Sequence, residues 1–388
     1  MANYSYNLRV ALENHSFIRV KVVSSRCSCE YERLAKAKDN LIDEDSCFVR
    51  LPPYLNIRPR GKSVRNKISW QFYNVTQLFL HSLRGLAYLS NCKDCQVIHY
   101  QQSDFSFGVL PLIPVILVPT ANKKVVTAHT LDKTAGLRVL IALYNRADKV
   151  IVHSEEMRRT LVSLGVNASK IKIIPHGVKV PVLSSEERNE ITFFGAPVKD
   201  KGAFILLETL KVLKERGDKT PVHFYGTYNS AEQLAVMMRA KELGVSDCIL
   251  WGGRLSEEDF DNKMQKSMFT FAVYLAPVSG SSILTRAMGN ATPVIASNIG
   301  GLPEYSQNLV IVPPNDVNAL ADAISKLKRD PALRKQLSNG LRMDAARISW
   351  DAIASKTLKV YMEVLKRQTS NVSNEESSNP VNFHGENK

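Results

Sequence analysis

Strand and helix signals that alternate along nearly the whole chain predict an α/β protein built on parallel, doubly wound sheets. Three observations carry that expectation. Short β-rich apolar runs are followed again and again by segments with apolar residues at helical spacing. A polar stretch from Leu183 to Glu190 interrupts the pattern, and the same grammar then starts afresh. The length, 388 residues, suits two domains, each able to bury a core of its own. The expected boundaries are 1–185 for a first Rossmann-like domain, 186–348 for a second, 349–367 for a closing helix and 368–388 for a disordered tail.

In the first domain, Tyr6 to His15 reads as a helix, Phe17 to Ser24 as a β-rich run, Gln71 to Leu89 as a helix and Val97 to Tyr100 as a strand. Lys124 to Ala128 is a strand that ends at His129, and the helix Leu137 to Ala147 leads into the strand Lys149 to His153. The helix Glu155 to Leu164 and the strand Lys170 to Ile174 follow, closed by Pro175, His176 and Gly177. In the second domain the strands are Ile191 to Gly195, Val222 to Gly226, Ile249 to Trp251, Phe269 to Tyr274 and Pro293 to Ser297. The helices are Gly202 to Arg216, Ala231 to Leu243, Glu257 to Lys266, Ile283 to Met288, Asp316 to Arg329 and Pro331 to Arg347, with Trp350 to Lys366 last. From Gln368 the chain is rich in Ser, Asn and Glu, which predicts disorder. Ligands of open parallel sheets bind outside the carboxyl ends of the strands, so Gly195, Gly226, Gly252 and the loop at Ser279 should border the site.

Hydrophobic residues make up 44% and charged residues 23%, ordinary values that argue against wholesale disorder and against an integral membrane protein. The longest apolar run, Phe107 to Pro119, is too short to span a bilayer and contains three prolines. No apolar core marks a signal peptide in the first twenty residues, so a cytoplasmic location is expected. The formal charge of +14 is uneven, with 26 Lys and Arg against 13 Asp and Glu through Ser185, and 25 against 24 beyond it. Its densest piece, Arg58, Arg60, Lys62, Arg65 and Lys67 followed by Trp70, Phe72 and Tyr73, suits a membrane leaflet, a lipid phosphate or a nucleic acid, and reads also as a solvated loop. No nucleic-acid motif accompanies it, so no nucleic-acid partner is expected. Cys27-Ser-Cys29 and Cys92-Lys-Asp-Cys95 are poor zinc candidates, because the first pair is too tightly spaced and free cysteines are common in reduced cytosol.

The most informative stretch is Ala276 to Glu304, which joins a small-residue loop, a short helix, a buried strand and a glycine turn. Ser279, Gly280, Ser281 and Ser282 carry little bulk, so amides at the start of the helix can approach an anion. The same residues also make an ordinary helix cap.

Four segments carry a family resemblance. Ala147-Asp-Lys-Val-Ile-Val-His-Ser154 with Lys170-Ile-Lys-Ile-Ile-Pro-His-Gly177 is similar to the end of the first domain of the family-four glycosyltransferases, and Phe193-Phe-Gly195 through Lys201-Gly202 resembles the opening of their second. Pro293-Val-Ile-Ala-Ser297 with Gly300-Gly-Leu-Pro-Glu304 is similar to their donor-site strand and turn, and Ser349-Trp350-Asp351 resembles the start of their last helix. The resemblance implies the GT-B fold, two Rossmann-like doubly wound parallel-sheet domains facing across a cleft, with the last helix crossing back to the first domain.

It also implies roles. The amides of Ser281, Ser282 and Ile283, with Gly280 beside them, and the ammonium of Lys201 after Gly195 would hold the diphosphate of a nucleotide sugar without a metal or other cofactor. Lys201 reads otherwise as a surface lysine. Gly253, Arg254 and Leu255 fall where the family's backbone holds the base, and read also as turn residues. His129 falls where the family places a histidine near the transferred sugar, and reads also as a strand-end residue in a polar pocket. His153 and His176 are expected to be structural. The family's two glutamates eight positions apart correspond to Val278 and Arg286, and its arginine after the glycine to Ala196. Arg286 is expected to grip a phosphate instead. Tyr6 to His15 matches the family's first helix, so the strand and glycine loop that normally precede it are missing, which fits translation from an upstream start or a degenerate protein.

The resulting expectation is a retaining, metal-independent hexosyltransferase acting on a lipid-linked or envelope glycan acceptor at the inner membrane face. The first domain would bind acceptor and anionic membrane, the second the nucleotide sugar. The alternative is a noncatalytic GT-B subunit that partners another glycosyltransferase.

Overall fold

The structure is a computed structural model that describes residues 2–15, 19, 22–25, 46–49, 83, 85–102, 112–129, 137–181, 187–226, 230–278 and 280–376. The chain divides into two compact units, one formed by Met1–Ile151, Leu161–Lys172 and Ala354–Lys388, the other by Val152–Thr160 and Ile173–Ile353.

The first unit opens with helix α1, Ala2–Glu13, whose Tyr4, Leu8, Ala11 and Leu12 are buried. Strands β1, Val22–Ser25, and β2, Ser46–Val49, pair in parallel as a two-stranded ribbon. The main sheet is parallel, in the order β3-β4-β5-β6, with β3 Val97–Gln102, β4 Lys123–Ala128, β5 Lys149–Val152 and β6 Ile171–Ile173. Val125, Val126, Val150, Ile151 and Val152 are fully buried, as expected of parallel strands covered on both faces. Helix α2, Leu137–Arg146, buries Leu140, Leu143 and Tyr144 at helical spacing. Helix α3, Glu155–Ser163, belongs through Thr160 to the second unit.

Two lysines of this unit are built into the interior. Lys124 Nζ donates to the carbonyls of Ile116 (3.1 Å) and Val118 (2.7 Å), and burial lowers its pKa. Lys149, 1% exposed, donates to the Ser169 carbonyl and pairs with Glu363 at 2.8 Å. Lys172 holds the other oxygen of Glu363 at 2.8 Å. Bonds from Lys149 and Lys172 pull the Glu363 carboxyl down to about 2.

The second unit contains one six-stranded parallel sheet, ordered β12-β11-β10-β7-β8-β9. Its strands are β7 Glu190–Phe194, β8 Val222–Tyr225, β9 Ile249–Gly253, β10 Ser267–Ala272, β11 Val294–Ser297 and β12 Val310–Val312. Counted from β7, the order is 6-5-4-1-2-3, the doubly wound arrangement of dinucleotide-binding domains. Helices α4 Ala203–Glu215, α5 Ser230–Glu242, α6 Glu257–Gln265, α7 Ser282–Gly289, α8 Val317–Arg329 and α9 Pro331–Arg347 pack around it. Phe193, Phe224, Phe269, Leu206, Leu210 and Ile324 belong to its apolar core, where Phe193 and Phe224 stack at 4.9 Å.

Three differences from the sequence reading have physical causes. Strand β12 is only three residues long, too short to give a periodic signal. Helix α10, Trp350–Glu376, runs ten residues past Lys366, where the sequence pattern ends it. Neither Gly nor Pro interrupts the segment before Pro380, and helix propagation adds one bond per residue until something stops it. Strand β9 reaches Gly253, and Gly252 lies within it with the Tyr225 ring occupying the place a Cβ would take. The predicted helix Gln71 to Leu89 lies largely outside the described residues, though 85–91 are helical. Among the described residues no helix is long and apolar enough to cross a membrane.

Candidate functional site

In a doubly wound sheet the crevice opens where the strand order reverses, here between the neighbours β7 and β10. The loops leaving the carboxyl ends of these two strands are the ones that contain Gly195 to Lys201 and Tyr274 to Ser281. They are tied together by the Leu275 N–H, which donates to the Asp200 carbonyl at 2.9 Å.

Glycines shape the first side of the crevice. Gly195 has φ +107°, and a Cβ there would lie 3.9 Å from Lys201 Nζ, which puts the ammonium against this backbone. The strand tips continue in a row: Gly195 N–H donates to the Tyr225 carbonyl (2.8 Å) and Gly226 N–H to that of Gly253 (2.9 Å). Gly226 has φ +154°, and a Cβ on it would meet the Gly195 carbonyl oxygen at 2.5 Å. Gly253, with φ +69°, turns the chain so that Arg254 is exposed and Leu255 half-buried beside the row. Lys201 is exposed, and no carboxylate among the described residues pairs with it.

The opposite side is the start of α7. Ser281 is the N-cap: its Oγ accepts from the Leu284 N–H at 3.1 Å and meets the Tyr274 hydroxyl at 2.8 Å. Its side chain is therefore committed and buried, and its part at the site is confined to backbone. The amides of Ser282 and Ile283, the first of the helix, have no intrahelical acceptor, and Ser282 is exposed. Ser279 lies outside the described residues, whereas Gly280 sits above Tyr305, whose hydroxyl would be 3.0 Å from a Cβ at this position. That hydroxyl is buried and makes no hydrogen bond of ordinary geometry among the described residues, with the His176 backbone as its polar neighbour.

Arg286 corrects the sequence reading. Its guanidinium faces α6, donating to Asp261 Oδ1 (2.8 and 3.2 Å), to Glu257 Oε2 (3.0 Å) and to the Glu257 carbonyl (3.1 Å), and it stacks 3.8 Å above the Phe260 ring. Burial alone would raise the Asp261 carboxyl, but Arg286 and Lys179 hold it below the usual range. Four of its five N–H groups are used in these bonds, so Arg286 ties α7 to α6.

Glu304, at the end of the glycine turn, carries a role that sequence reasoning missed. Its carboxylate accepts from the N–H of Glu155 and from that of Glu156 (2.8 Å), capping α3. The Gly300 turn closes on Val278, with the Gly301 N–H donating to the Val278 carbonyl at 3.1 Å and φ +56° at Gly300. His153 is buried and His176 is partly buried. His153 Nδ1 bonds the Ile174 carbonyl at 2.9 Å, and His176 packs edge-on to Trp350 at 5.7 Å. Burial lowers both to about 4.

In the first unit, His129 follows β4, its Nε2 2.8 Å from Gln101 Oε1 and its ring edge-on to Tyr4 at 4.7 Å. The basic cluster Arg58, Arg60, Lys62, Arg65 and Lys67 lies outside the described residues, as do Cys27 and Cys29. Neither Cys92 nor Cys95 forms a disulfide among the described residues. The carbonyls of both accept from Asn122 Nδ2.

Two family models match in tandem. Glycosyltransferase Family 4 covers residues 1–180 and Glycosyl transferases group 1 covers residues 179–343, so the second takes in the whole crevice. The chain belongs to the family-four glycosyltransferases. Among curated members, an MMP α-(1→4)-mannosyltransferase of Mycolicibacterium hassiacum is 27% identical over 227 residues, 56% of this chain. The match spans about half of that relative's length, 54%. A phosphatidyl-myo-inositol mannosyltransferase of Mycobacterium leprae is 28% identical over 291 residues, 70% of this chain and 74% of the relative. Among solved structures, a glycosyltransferase of Rickettsia africae superposes with a TM-score of 0.70 at 18% identity, covering 94% of this chain and 95% of that one. Anabaena HepE in complex with UDP and glucose gives 0.72 at 14% identity, covering 93% and 95%. These likenesses establish the GT-B fold for this family-four member.

Proposed function

We propose that the chain is a glycosyltransferase that takes a hexose from a nucleotide sugar and passes it, with retention, to a lipid-linked or cell-envelope glycan acceptor. One observation carries the reading: the exposed Lys201 ammonium against Gly195 and the unspent amides of Ser282 and Ile283 flank the β7/β10 crevice. A diphosphate there would meet a full positive charge on one side and a helix N-terminus on the other, an arrangement that needs no metal to offset the charge of the leaving group. Gly253, Arg254 and Leu255 would border the base. The bond from the anomeric carbon to the diphosphate oxygen breaks with its electron pair leaving on the diphosphate. The acceptor hydroxyl oxygen then bonds to the same face of that carbon, its proton passing to the departing phosphate. His129 is assigned a hydrogen bond to a hydroxyl of the transferred sugar. The phosphatidyl-myo-inositol in the name of the Mycobacterium leprae relative and the UDP bound in HepE support a glycolipid acceptor and a nucleotide-sugar donor. The basic cluster at Arg58 to Lys67 is assigned to an anionic membrane surface on the cytoplasmic side.

Thermal melting with UDP, GDP and their sugars tests the reading. A ligand at one hundred times its Kd stabilises by about 2.7 kcal/mol, so a diphosphate should raise the melting temperature by a few degrees. The Lys201→Ala variant should lose that protection, and no protection by any nucleotide would refute the donor site.

A second reading, a noncatalytic subunit that partners another glycosyltransferase, is favoured by one specific observation. The two positions where the family carries its glutamates hold Val278, committed by its carbonyl to the Gly300 turn, and Arg286, committed to α6. Nucleotide protection without sugar transfer or donor hydrolysis would select it.

A further inference from the structure

The loop that precedes α7 and the glycine turn after β11 are built against each other. The Gly301 N–H donates to the Val278 carbonyl at 3.1 Å, and a Cβ on Gly300 would meet the Val278 carbonyl oxygen at 2.5 Å. Pro303 fixes the backbone of the short helical turn Leu302–Glu304, and the Glu304 carboxylate is held on the amides of α3. Tyr305 closes this turn, its N–H donating to the Leu302 carbonyl at 3.3 Å. The residue is 9% exposed, and its side chain reaches Gly280, which directly precedes the N-cap Ser281 of α7.

A tyrosine hydroxyl has one proton to donate and lone pairs to accept with. That of Tyr305 is buried and finds no hydrogen-bond partner of ordinary geometry among the described residues. The His176 backbone beside it favours the ionised phenol, the effect of an N–H directed at the oxygen. Such an N–H engages a lone pair and leaves the hydroxyl proton without an acceptor. Burial outweighs it and pushes the phenol up, so the group stays a neutral hydroxyl. Among the described residues outside its own chain neighbours, this hydroxyl is the only atom within 4 Å of the place a Gly280 Cβ would take. With the first amides of α7, at Ser282 and Ile283, three unspent hydrogen-bond donors are grouped around residues 280–283.

We propose that Tyr305 belongs to the nucleotide-sugar site, its hydroxyl donating to an oxygen of the ligand held at the start of α7. That oxygen belongs to the diphosphate or to a hydroxyl of the transferred hexose, either of which brings the lone pair that the hydroxyl lacks. The role rests on the function proposed above. Reaching the hydroxyl requires the loop to yield at Gly280, a position where no side chain has to move.

Calorimetry and thermal melting of the full chain with UDP, GDP, UDP-glucose and GDP-mannose, on wild type and Tyr305→Phe, test it. Phenylalanine keeps the ring and removes only the hydroxyl. Without ligand the variant should melt at or above the wild-type temperature, because no bond is lost. With whichever nucleotide sugar wild type binds, its Kd should rise about tenfold, the worth of one hydrogen bond. An equal rise for the bare nucleotide assigns the bond to the diphosphate, and a rise confined to the sugar conjugate assigns it to the hexose. An unchanged Kd would overturn the proposal. So would a lower ligand-free melting temperature, which would show the hydroxyl already bonded to a buried water. Wild type that binds none of the four probes would refute the donor site, and this role with it.

Discussion

Lys201 and Arg286 are both cations that the sequence placed at the donor site, and their surroundings separate them. Lys201 lies against a glycine backbone without a carboxylate partner among the described residues, whereas Arg286 is held by Asp261 and Glu257 over the Phe260 ring. Arg286→Met should therefore lower stability by about 2 kcal/mol, since it leaves the buried Asp261 with fewer partners. It should leave nucleotide affinity within about threefold of wild type, a margin set by the ~0.6 kcal/mol thermal energy. A selective loss of nucleotide affinity in chemical denaturation and calorimetry would reinstate Arg286 as a donor residue. Gly226→Ala makes a complementary case. Its Cβ would lie 2.5 Å from the Gly195 carbonyl at a φ that side chains rarely adopt, so denaturant unfolding should give a loss of about 1–3 kcal/mol. Gly195 was legible in sequence as the end of an apolar β-rich run, and Gly253 through the family resemblance. The partners of Arg286 were not, because Asp261 and Glu257 lie 25 and 29 positions away and nothing in the spacing announces them.

At the level of elements, the start of α7 was readable because a cap is written in a few consecutive residues, and Ser281 caps Leu284 three positions on. Ser281→Ala should cost about 1 kcal/mol in unfolding free energy, most of it lost from α7. The cap on α3 was not readable, since it comes from Glu304, 148 positions beyond the Glu156 amide it accepts from. Glu304→Gln keeps the acceptor but removes the charge, so hydrogen exchange at Glu155 and Glu156 should quicken while the rest of the sheet keeps its protection. Equal exchange in both proteins would show that the carboxylate contributes nothing there. The βα alternation gave most strands within a residue or two, because buried parallel strands read as apolar runs. It failed at β12 and at the end of α10, where length and the absence of a stop signal, rather than pattern, decide the structure.

For the whole molecule, the histidines and Glu363 set an acid limit. Burial depresses His99, His153 and His176 in the folded chain to about 3, 4 and 4, below their unfolded value of 6.5. The unfolded chain therefore binds protons first, and stability falls as pH drops from 6.5 toward 4, by about 1.4 kcal/mol per pH unit for each histidine. Glu363, held at about 2 against 4.5, contributes stability that is present above 4.5 and lost as pH falls from 4.5 toward 2. Melting curves between pH 7 and 4 should show this decline, and one flat across that range would contradict the burial of the neutral rings. The doubly wound sheet then gives the site its location. A strand order of 6-5-4-1-2-3 opens one crevice, between β7 and β10, and the residues that sequence singled out at Gly195, Lys201, Ser282 and Ile283 come from the two loops beside it. A crystal of the chain soaked with UDP-glucose tests that placement most directly. The diphosphate should lie within hydrogen-bond reach of the Ser282 and Ile283 amides and of Lys201 Nζ. A nucleotide seated elsewhere, with those three groups solvated, would contradict it.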